Sequence, residues 1–123
     1  MASKPANARQ RQWMSDIAEW AEDNIGALYQ GHVNAPFQLH HVVGRSAKHN
    51  KVAIGHEFII PVPIELHDVS SNHPLNVTHH KKAFVKEFGA QCDLFRVMIS
   101  AMGNEGYDVP SMEIYNAIMD ARV

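Results

Sequence analysis

The sequence has a single cysteine, Cys92, and no long apolar run. One cysteine excludes an internal disulfide and a cysteine-based zinc site, so Cys92 is expected to be a core residue. The longest apolar stretches, such as 58–64, are far shorter than the roughly 20 residues that a membrane-spanning helix needs. Because no apolar segment follows the basic residues near the N-terminus, a secretory signal is not expected. These shortages favour a cytoplasmic protein with no membrane partner.

The chain also lacks a strong excess of charge of either sign, with a net charge of -2. Many nucleic-acid-binding proteins are basic, so this value alone argues mildly against such a partner. The distribution of charge argues for one. Three stretches without any Asp or Glu (1–15, 24–56 and 69–86) each hold three of the eleven Lys and Arg residues. Segregation of this kind can give a basic face to a neutral protein.

Apolar periodicity predicts one α+β domain over 1–123. Helical spacing of apolar residues predicts an N-terminal amphipathic helix over 7–29. Two strands are expected at 37–43 and 56–62, the second rich in β-branched residues. The segment between them, 44–55, is a polar, basic loop that lacks the pattern of a glycine-rich phosphate loop.

Helices are expected in the remainder of the chain. The first is predicted to begin near Thr78 as a cap and to end at Gly89, which completes a core unit over 37–89. The C-terminal part, 90–123, is expected to hold a helix over about 90–102 and a last helix capped by Asp108, with a proline in its first turn.

Histidine is abundant, and its positions are uneven along the sequence. Imidazole is the commonest side-chain metal ligand and titrates near neutrality, so a cluster indicates a metal or proton-transfer site. The pair His40 and His41 closes the first strand, and His67 follows the second. Adjacent strand residues normally point to opposite faces, so both histidines can serve one site only if the strand bends or bulges there, which Gly44 close by would permit. One histidine could then bind metal while its neighbour faces the attacking water. The nine histidines are at positions 32, 40, 41, 49, 56, 67, 73, 79 and 80.

Four segments carry a family resemblance: LHHVVG at 39–44, GHEFIIP at 55–61, ELHD at 65–68 and KAFVKEFG at 82–89. Together they resemble the HNH, or His-metal finger, endonuclease superfamily. They are most similar to the Ref family, the RecA-dependent recombination-enhancement nucleases of phages. The resemblance covers about residues 39–102, roughly half of the chain. It implies a ββα-metal site, a hairpin followed by a helix, embedded in a mainly helical small domain.

The resemblance also implies roles for three histidines. His40 corresponds to the first metal ligand, His41 to the general base and His67 to the ligand that opens the helix. The cofactor is then one divalent metal ion, which could be zinc, manganese or magnesium. The implied function is metal-dependent DNA endonuclease activity in phage recombination or DNA processing. The implied partners are DNA, single-stranded or RecA-coated, and a RecA-like recombinase.

In the family, the third metal ligand usually follows the helix histidine within one turn. Here five residues, 68–72, separate His67 from the next histidine. His73 is the favoured candidate, with His79 and Asp68 as alternatives. Phe58 stands where typical HNH motifs have an asparagine, and the cysteine pairs that brace many such proteins are absent.

Basic residues flank the predicted site on both sides in the sequence. Lysine and arginine at such positions would hold backbone phosphates without reading the base sequence. The residues expected to bind DNA are Arg45, Lys48, Lys51, Lys81 and Lys82.

Two other functions fit the same sequence. The first is a non-catalytic module in which the histidines hold a structural zinc and the basic loop binds nucleic acid or protein. The second is a metal-free domain with core histidines, using the helix of Trp13 and Trp20 for interaction. Chelator should unfold a structural zinc module, whereas an endonuclease should cleave plasmid DNA with added metal.

Overall fold

A capped amphipathic helix, α1 (Ala8–Leu28), opens the part of the chain that the computed structural model describes, residues 5–123. The Asn7 side chain accepts a hydrogen bond from the backbone N–H of Gln10, and the Gln10 side chain accepts one from the N–H of Asn7. Such reciprocal capping satisfies two backbone donors at the start of a helix. The predicted helix over 7–29 is confirmed. Its buried stripe consists of Trp13, Ile17, Trp20, Ala21, Ile25 and Leu28.

The central sheet pairs β1 (Phe37–His41) with β4 (Ile59–Pro63) in antiparallel register, so that His40 lies opposite Ile60. Both strands are shorter than the predicted 37–43 and 56–62. Strand β4 begins at Ile59 because the segment just before it is a turn, in which the Phe58 N–H bonds back to the Ile54 carbonyl at 2.8 Å. Every residue of β4 is buried. Helix α1 packs against this strand, which explains the continuous apolar run in its sequence.

The predicted loop over 44–55 contains a small hairpin of β2 (Lys48–His49) and β3 (Val52–Ala53). Its turn is formed by Asn50 and Lys51, whose φ angles are 50° and 70°. Positive φ at both central residues is the requirement of the tight turns that match the twist of a hairpin.

This hairpin is fastened to the C-terminal helix, α5 (Met112–Ala121). The Asp120 carboxylate lies 2.7 Å from the His49 Nε2 atom and accepts a hydrogen bond from the Asn50 side-chain amide at 3.2 Å. The basic loop is therefore an ordered structure packed against a helix.

Three helices lie between β4 and α5: α2 (Ile64–His67), α3 (Lys81–Phe88) and α4 (Gln91–Asn104). His67 was expected at the start of a helix, but it is the last residue of the single-turn α2. The expected cap at Thr78 is wrong, because its hydroxyl donates to the His67 carbonyl at 3.1 Å and α3 begins three residues later. Gly89 ends α3 with a φ of 99°, as predicted.

The cap of α5 also differs from the prediction. Ser111, and not Asp108, accepts the capping hydrogen bond, from the N–H of Ile114. The physical reason is Pro110, because a proline disfavours helical conformation in the residue before it. Helix α5 therefore starts beyond the proline.

The core lies where α1 and α4 pack on β4. Two buried polar contacts join α1 and its C-cap to this strand region: the Trp13 indole N–H donates to the Glu57 carbonyl at 3.0 Å, and the Tyr29 hydroxyl donates to the Pro61 carbonyl at 2.6 Å. The Glu57 carboxylate, 2% exposed, pairs with Arg9 of α1. The fold is thus a small α+β domain, as predicted. Across residues 5–123, no helix combines the length and apolarity needed to cross a membrane.

The base of the β2–β3 hairpin depends on a close backbone approach at Gly55. A Cβ atom at this position would lie 2.2 Å from the Arg45 carbonyl oxygen, whereas a Cβ at Gly44 would meet nothing within 4 Å. We expect Gly55→Ala to lower the free energy of unfolding by more than about 2 kcal/mol, and Gly44→Ala to change it by less than about 0.5 kcal/mol. Urea unfolding of both variants checks this. Equal stability of the two would contradict the packing at Gly55.

Candidate metal centre

Strand β1 divides the histidine pair between its two faces. Gln38 and His40 share one face, because both side chains contact His67. His41 points the other way, with its ring centroid 5.5 Å from that of His56. This division follows directly from the alternation of side chains along a strand.

Four side chains on the first face form a continuous chain, Gln91–His40–His67–Gln38. The His40 Nε2 atom lies 3.0 Å from the Gln91 Oε1 atom, and the His67 Nδ1 atom lies 2.6 Å from the Gln38 Oε1 atom. Between the two rings, the His40 Nδ1 atom lies 3.2 Å from the His67 Nε2 atom. Three elements contribute to this chain: β1, the end of α2 and the first residue of α4.

The outer contacts determine which ring nitrogens carry protons. In this structure the Gln91 and Gln38 side-chain oxygens face the rings, and an amide oxygen can only accept a hydrogen bond, so in this arrangement the His40 Nε2 and His67 Nδ1 atoms are the donors. In a neutral imidazole, the remaining nitrogen then carries a lone pair. The two nitrogens that face each other at 3.2 Å are therefore both unprotonated when the rings are neutral. Two lone pairs at this distance repel each other unless a cation or an additional proton lies between them.

An additional proton is disfavoured at this position. Burial, followed by the charge that His67 would carry, lowers the pKa of His40 from 6.5 to about 4. Burial also lowers the pKa of His67. Both rings are therefore neutral near pH 7, which is the form that binds metal ions.

The spacing of the facing nitrogens suits a shared metal ion. Two imidazole nitrogens bound to one tetrahedral zinc, each at about 2.0–2.1 Å, lie roughly 3.3 Å apart. The observed separation is 3.2 Å. Hydrogen bonds from the outer nitrogens to amide oxygens supply the support that metal-binding histidines usually have. The residues present therefore fit two ligands of a divalent ion.

A third protein ligand is not assembled beside these two. Within residues 5–123, no three His, Cys, Asp or Glu side chains are grouped closely enough to hold a metal ion. The His73 Nδ1 atom accepts a hydrogen bond from the Leu75 N–H at 3.0 Å, and the His79 Nε2–H donates to the Val69 carbonyl at 2.7 Å. Asp68 accepts hydrogen bonds from Ser70 and, at 3.4 Å, from Gln38. The candidates for third ligand thus have local partners instead.

His41, the predicted general base, lies on the face away from the pair. Its Nε2 atom is buried and makes no hydrogen bond within residues 5–123. Burial, then the charges of Arg45 and His56, lower the pKa of His41. The ring is therefore a neutral base with a desolvated nitrogen, although its position requires water to enter from the side of β1 opposite His67.

The five predicted DNA-binding residues are all exposed and lie in two places. One group is on the β2–β3 hairpin and its base, and the other is at the start of α3. Lys81 is close enough to His40 to contribute to the lowering of its pKa. The hairpin group is Arg45, Lys48 and Lys51, and the α3 group is Lys81 and Lys82.

Sequence reasoning missed the two glutamines. Gln38 could have been found, because it lies two residues before His40 on the same predicted strand and therefore on the same face. Gln91 had no such signal, since it is 51 residues from His40 and is brought there by the packing of α4. It is 2% exposed.

Comparison of the chain with protein-family models, with curated proteins and with solved structures finds no match in any of the three.

The pKa of His40 predicts a loss of stability in acid. The unfolded chain protonates this ring below about pH 6.5, and the folded chain does so only near pH 4. Between these values the unfolded state binds more protons, so the free energy of unfolding falls as the pH falls, by at most about 3 kcal/mol. Urea unfolding of metal-free protein at pH 7 and pH 4.5 measures this decrease in the free energy of unfolding. His40→Gln should weaken this dependence, and the exposed His80→Gln should not. An unchanged dependence in His40→Gln would contradict the assignment.

Proposed function

We propose that this protein is a metal-dependent DNA endonuclease in which His40 and His67 hold one divalent ion. The observation that carries the proposal is the pair of facing ring nitrogens, His40 Nδ1 and His67 Nε2, 3.2 Å apart, with a glutamine oxygen at the other nitrogen of each ring. The paired strands β1 and β4, followed by the single turn α2, support a comparison with the strand, strand, helix order of a ββα-metal site, although the β2–β3 hairpin lies between the strands and His67 ends the helix turn. The resemblance to the Ref family extends the proposal to single-stranded or RecA-coated DNA in phage recombination.

Two protein ligands would leave at least half of the coordination positions for water and phosphate oxygens. When bound, the ion would act as a Lewis acid on the phosphate and on the departing oxygen. Zinc and manganese suit a histidine pair, whereas magnesium prefers oxygen ligands. The glutamines keep both rings in the tautomer that presents a lone pair.

His41 is proposed to take the proton of the attacking water, which requires β1 to bend near Gly44 so that the ring reaches the side of the His40–His67 pair. Its lowered pKa keeps the ring neutral, and its Nε2 atom lacks a hydrogen-bond partner within the described residues. A general base of this kind typically contributes a factor of about 10²–10⁴. Lys81 and Arg45, on either side of the histidines, are proposed to hold backbone phosphates.

A second candidate function is a non-catalytic, metal-stabilised binding module. The observation that favours it is the position of His41, which faces His56 and has its Nε2 atom buried. In such a module the His40–His67 pair would hold the fold together, and the basic residues alone would bind nucleic acid.

Plasmid nicking with manganese or magnesium, together with zinc binding by chelator competition, separates the two functions. We expect His40→Ala and His67→Ala to lose metal binding and cleavage. His41→Ala should retain metal and fold while losing at least about 10²-fold in cleavage rate. His73→Ala tests the predicted third ligand: because the His73 ring bonds locally to the Leu75 N–H, we expect metal binding and cleavage to be kept, and the loss of both would restore His73 as a ligand. Metal binding without any cleavage by the wild type would support the binding module and exclude the nuclease.

The phosphate contacts make a separate prediction. Lys81→Gln should weaken DNA binding at low salt. It should also reduce the slope of log K against log salt concentration by about one, the contribution of one phosphate contact. Fluorescence anisotropy across a salt series measures both quantities, with Lys86→Gln on the same helix as control. Identical salt dependence in wild type and Lys81→Gln would remove this residue from the interface.

A further inference from the structure

The segment 76–78 donates hydrogen bonds to the C-terminal end of α2. The last carbonyls of a helix have no partners within it, and four consecutive ones occur here, from Glu65 to Asp68. All four accept hydrogen bonds from the segment 76–78. The Leu66 carbonyl accepts from the Val77 N–H at 2.7 Å, and the His67 carbonyl accepts from the Thr78 hydroxyl at 3.1 Å.

Asn76 makes the other two of these contacts with one side chain. Its amide NH₂ donates to the Asp68 carbonyl at 2.9 Å and to the Glu65 carbonyl at 3.4 Å. Its amide oxygen accepts from the N–H groups of Thr78 at 2.8 Å and His79 at 3.2 Å. Two donors and one doubly used oxygen are the full capacity of an asparagine side chain. The residue is fully buried.

These contacts surround His67 on both sides along the chain. The carbonyls two residues before and one residue after His67 accept from the Asn76 amide, and both also accept from Ser71, through its hydroxyl at 2.6 Å and its N–H at 3.0 Å. Asn76 and Ser71 together hold the backbone that carries the imidazole. The Asn76 carbonyl also accepts from the His80 N–H at 2.7 Å, at the start of α3. One side chain and its backbone thus connect the turn of His67 to the helix of Lys81.

We propose that Asn76 is a positioning residue for the His40–His67 centre. It holds the His67 ring where its Nδ1 atom reaches Gln38 and its Nε2 atom faces His40. The inference rests on the proposed metal-binding function, and it adds a residue that touches neither the metal nor the substrate. The apolar side chain that this segment buries belongs to the neighbouring Val77, which is 5% exposed. Substitutions at Asn76 and Val77 can therefore separate the effect of the hydrogen bonds on His67 from the effect of core packing.

The experiment compares Asn76→Ala with Val77→Ala in the full chain. Val77→Ala removes packing at the same place but keeps its backbone hydrogen bond to Leu66. Zn²⁺ affinity is measured by chelator competition, and Tm is measured for each variant. We expect Asn76→Ala to weaken Zn²⁺ binding by about 10–100-fold, the usual effect of losing support behind a ligand. Val77→Ala should lower Tm but change Zn²⁺ affinity by less than about threefold.

A second measurement needs no metal. Nitrogen-15 NMR of the histidine rings in metal-free protein should show the His67 Nδ1–H tautomer in the wild type and in Val77→Ala. A mixture of tautomers is expected in Asn76→Ala. Asn76→Asp, which has nearly the same volume and keeps the two accepted hydrogen bonds, should give the same result and serves if Asn76→Ala does not fold.

The outcomes distinguish this inference from the proposed function. A wild type that binds no Zn²⁺ overturns the metal site, and the tautomer of His67 still tests the role of Asn76. A wild type that binds Zn²⁺ as tightly as Asn76→Ala, with an unchanged His67 tautomer, overturns the positioning role alone. Equal losses of Zn²⁺ affinity in Val77→Ala and Asn76→Ala would also overturn it, because destabilisation alone would then account for the effect.

Discussion

The register of β1 against β4 is the constraint on which the candidate centre depends. With His40 opposite Ile60, the side chains of Gln38 and His40 face the end of α2, while Leu39 and His41 face the other side. A shift of one residue would exchange these faces, placing His41 beside His67 and a leucine where Gln38 now lies. The completely buried β4 opposes such a shift, because its side chains pack against α1 and α4.

Side-chain amides, and not charged groups, make the hydrogen bonds that orient the two imidazoles. Gln38 and Gln91 each present an oxygen to an imidazole, and Asn76 holds the turn that carries His67. An amide oxygen does not titrate, so it fixes a tautomer over the whole physiological pH range. A carboxylate in the same place would raise the histidine pKa, so that protons would compete with a metal ion for the ring up to a higher pH.

The parts of the fold that depend on local sequence were predictable. The stripe of α1 and the end of α3 at Gly89 follow from periodicity and from the conformational freedom of glycine. A bend that would bring His40 and His41 to one site was also expected, but β1 pairs regularly with β4 through His41 and keeps the two rings on opposite faces. The errors at the two helix caps came from a competing set of hydrogen bonds in one case and from a proline in the other. Thr78 could not cap α3 because Asn76 and the His67 carbonyl engage it, and Asp108 could not cap α5 because Pro110 intervenes. The approach of Gln91 to His40 depends on how α4 packs, which no local pattern encodes.

The anchoring of the β2–β3 hairpin to Asp120 has a consequence for the proposed binding of phosphates. Lys48 and Lys51 stand on a short, tightly turned element whose tip is fastened to a helix near the other end of the chain. A mobile loop loses conformational entropy when its lysines bind successive phosphates, and this loss opposes complex formation. Here much of the ordering is complete before any ligand arrives, so this element presents a preorganised surface.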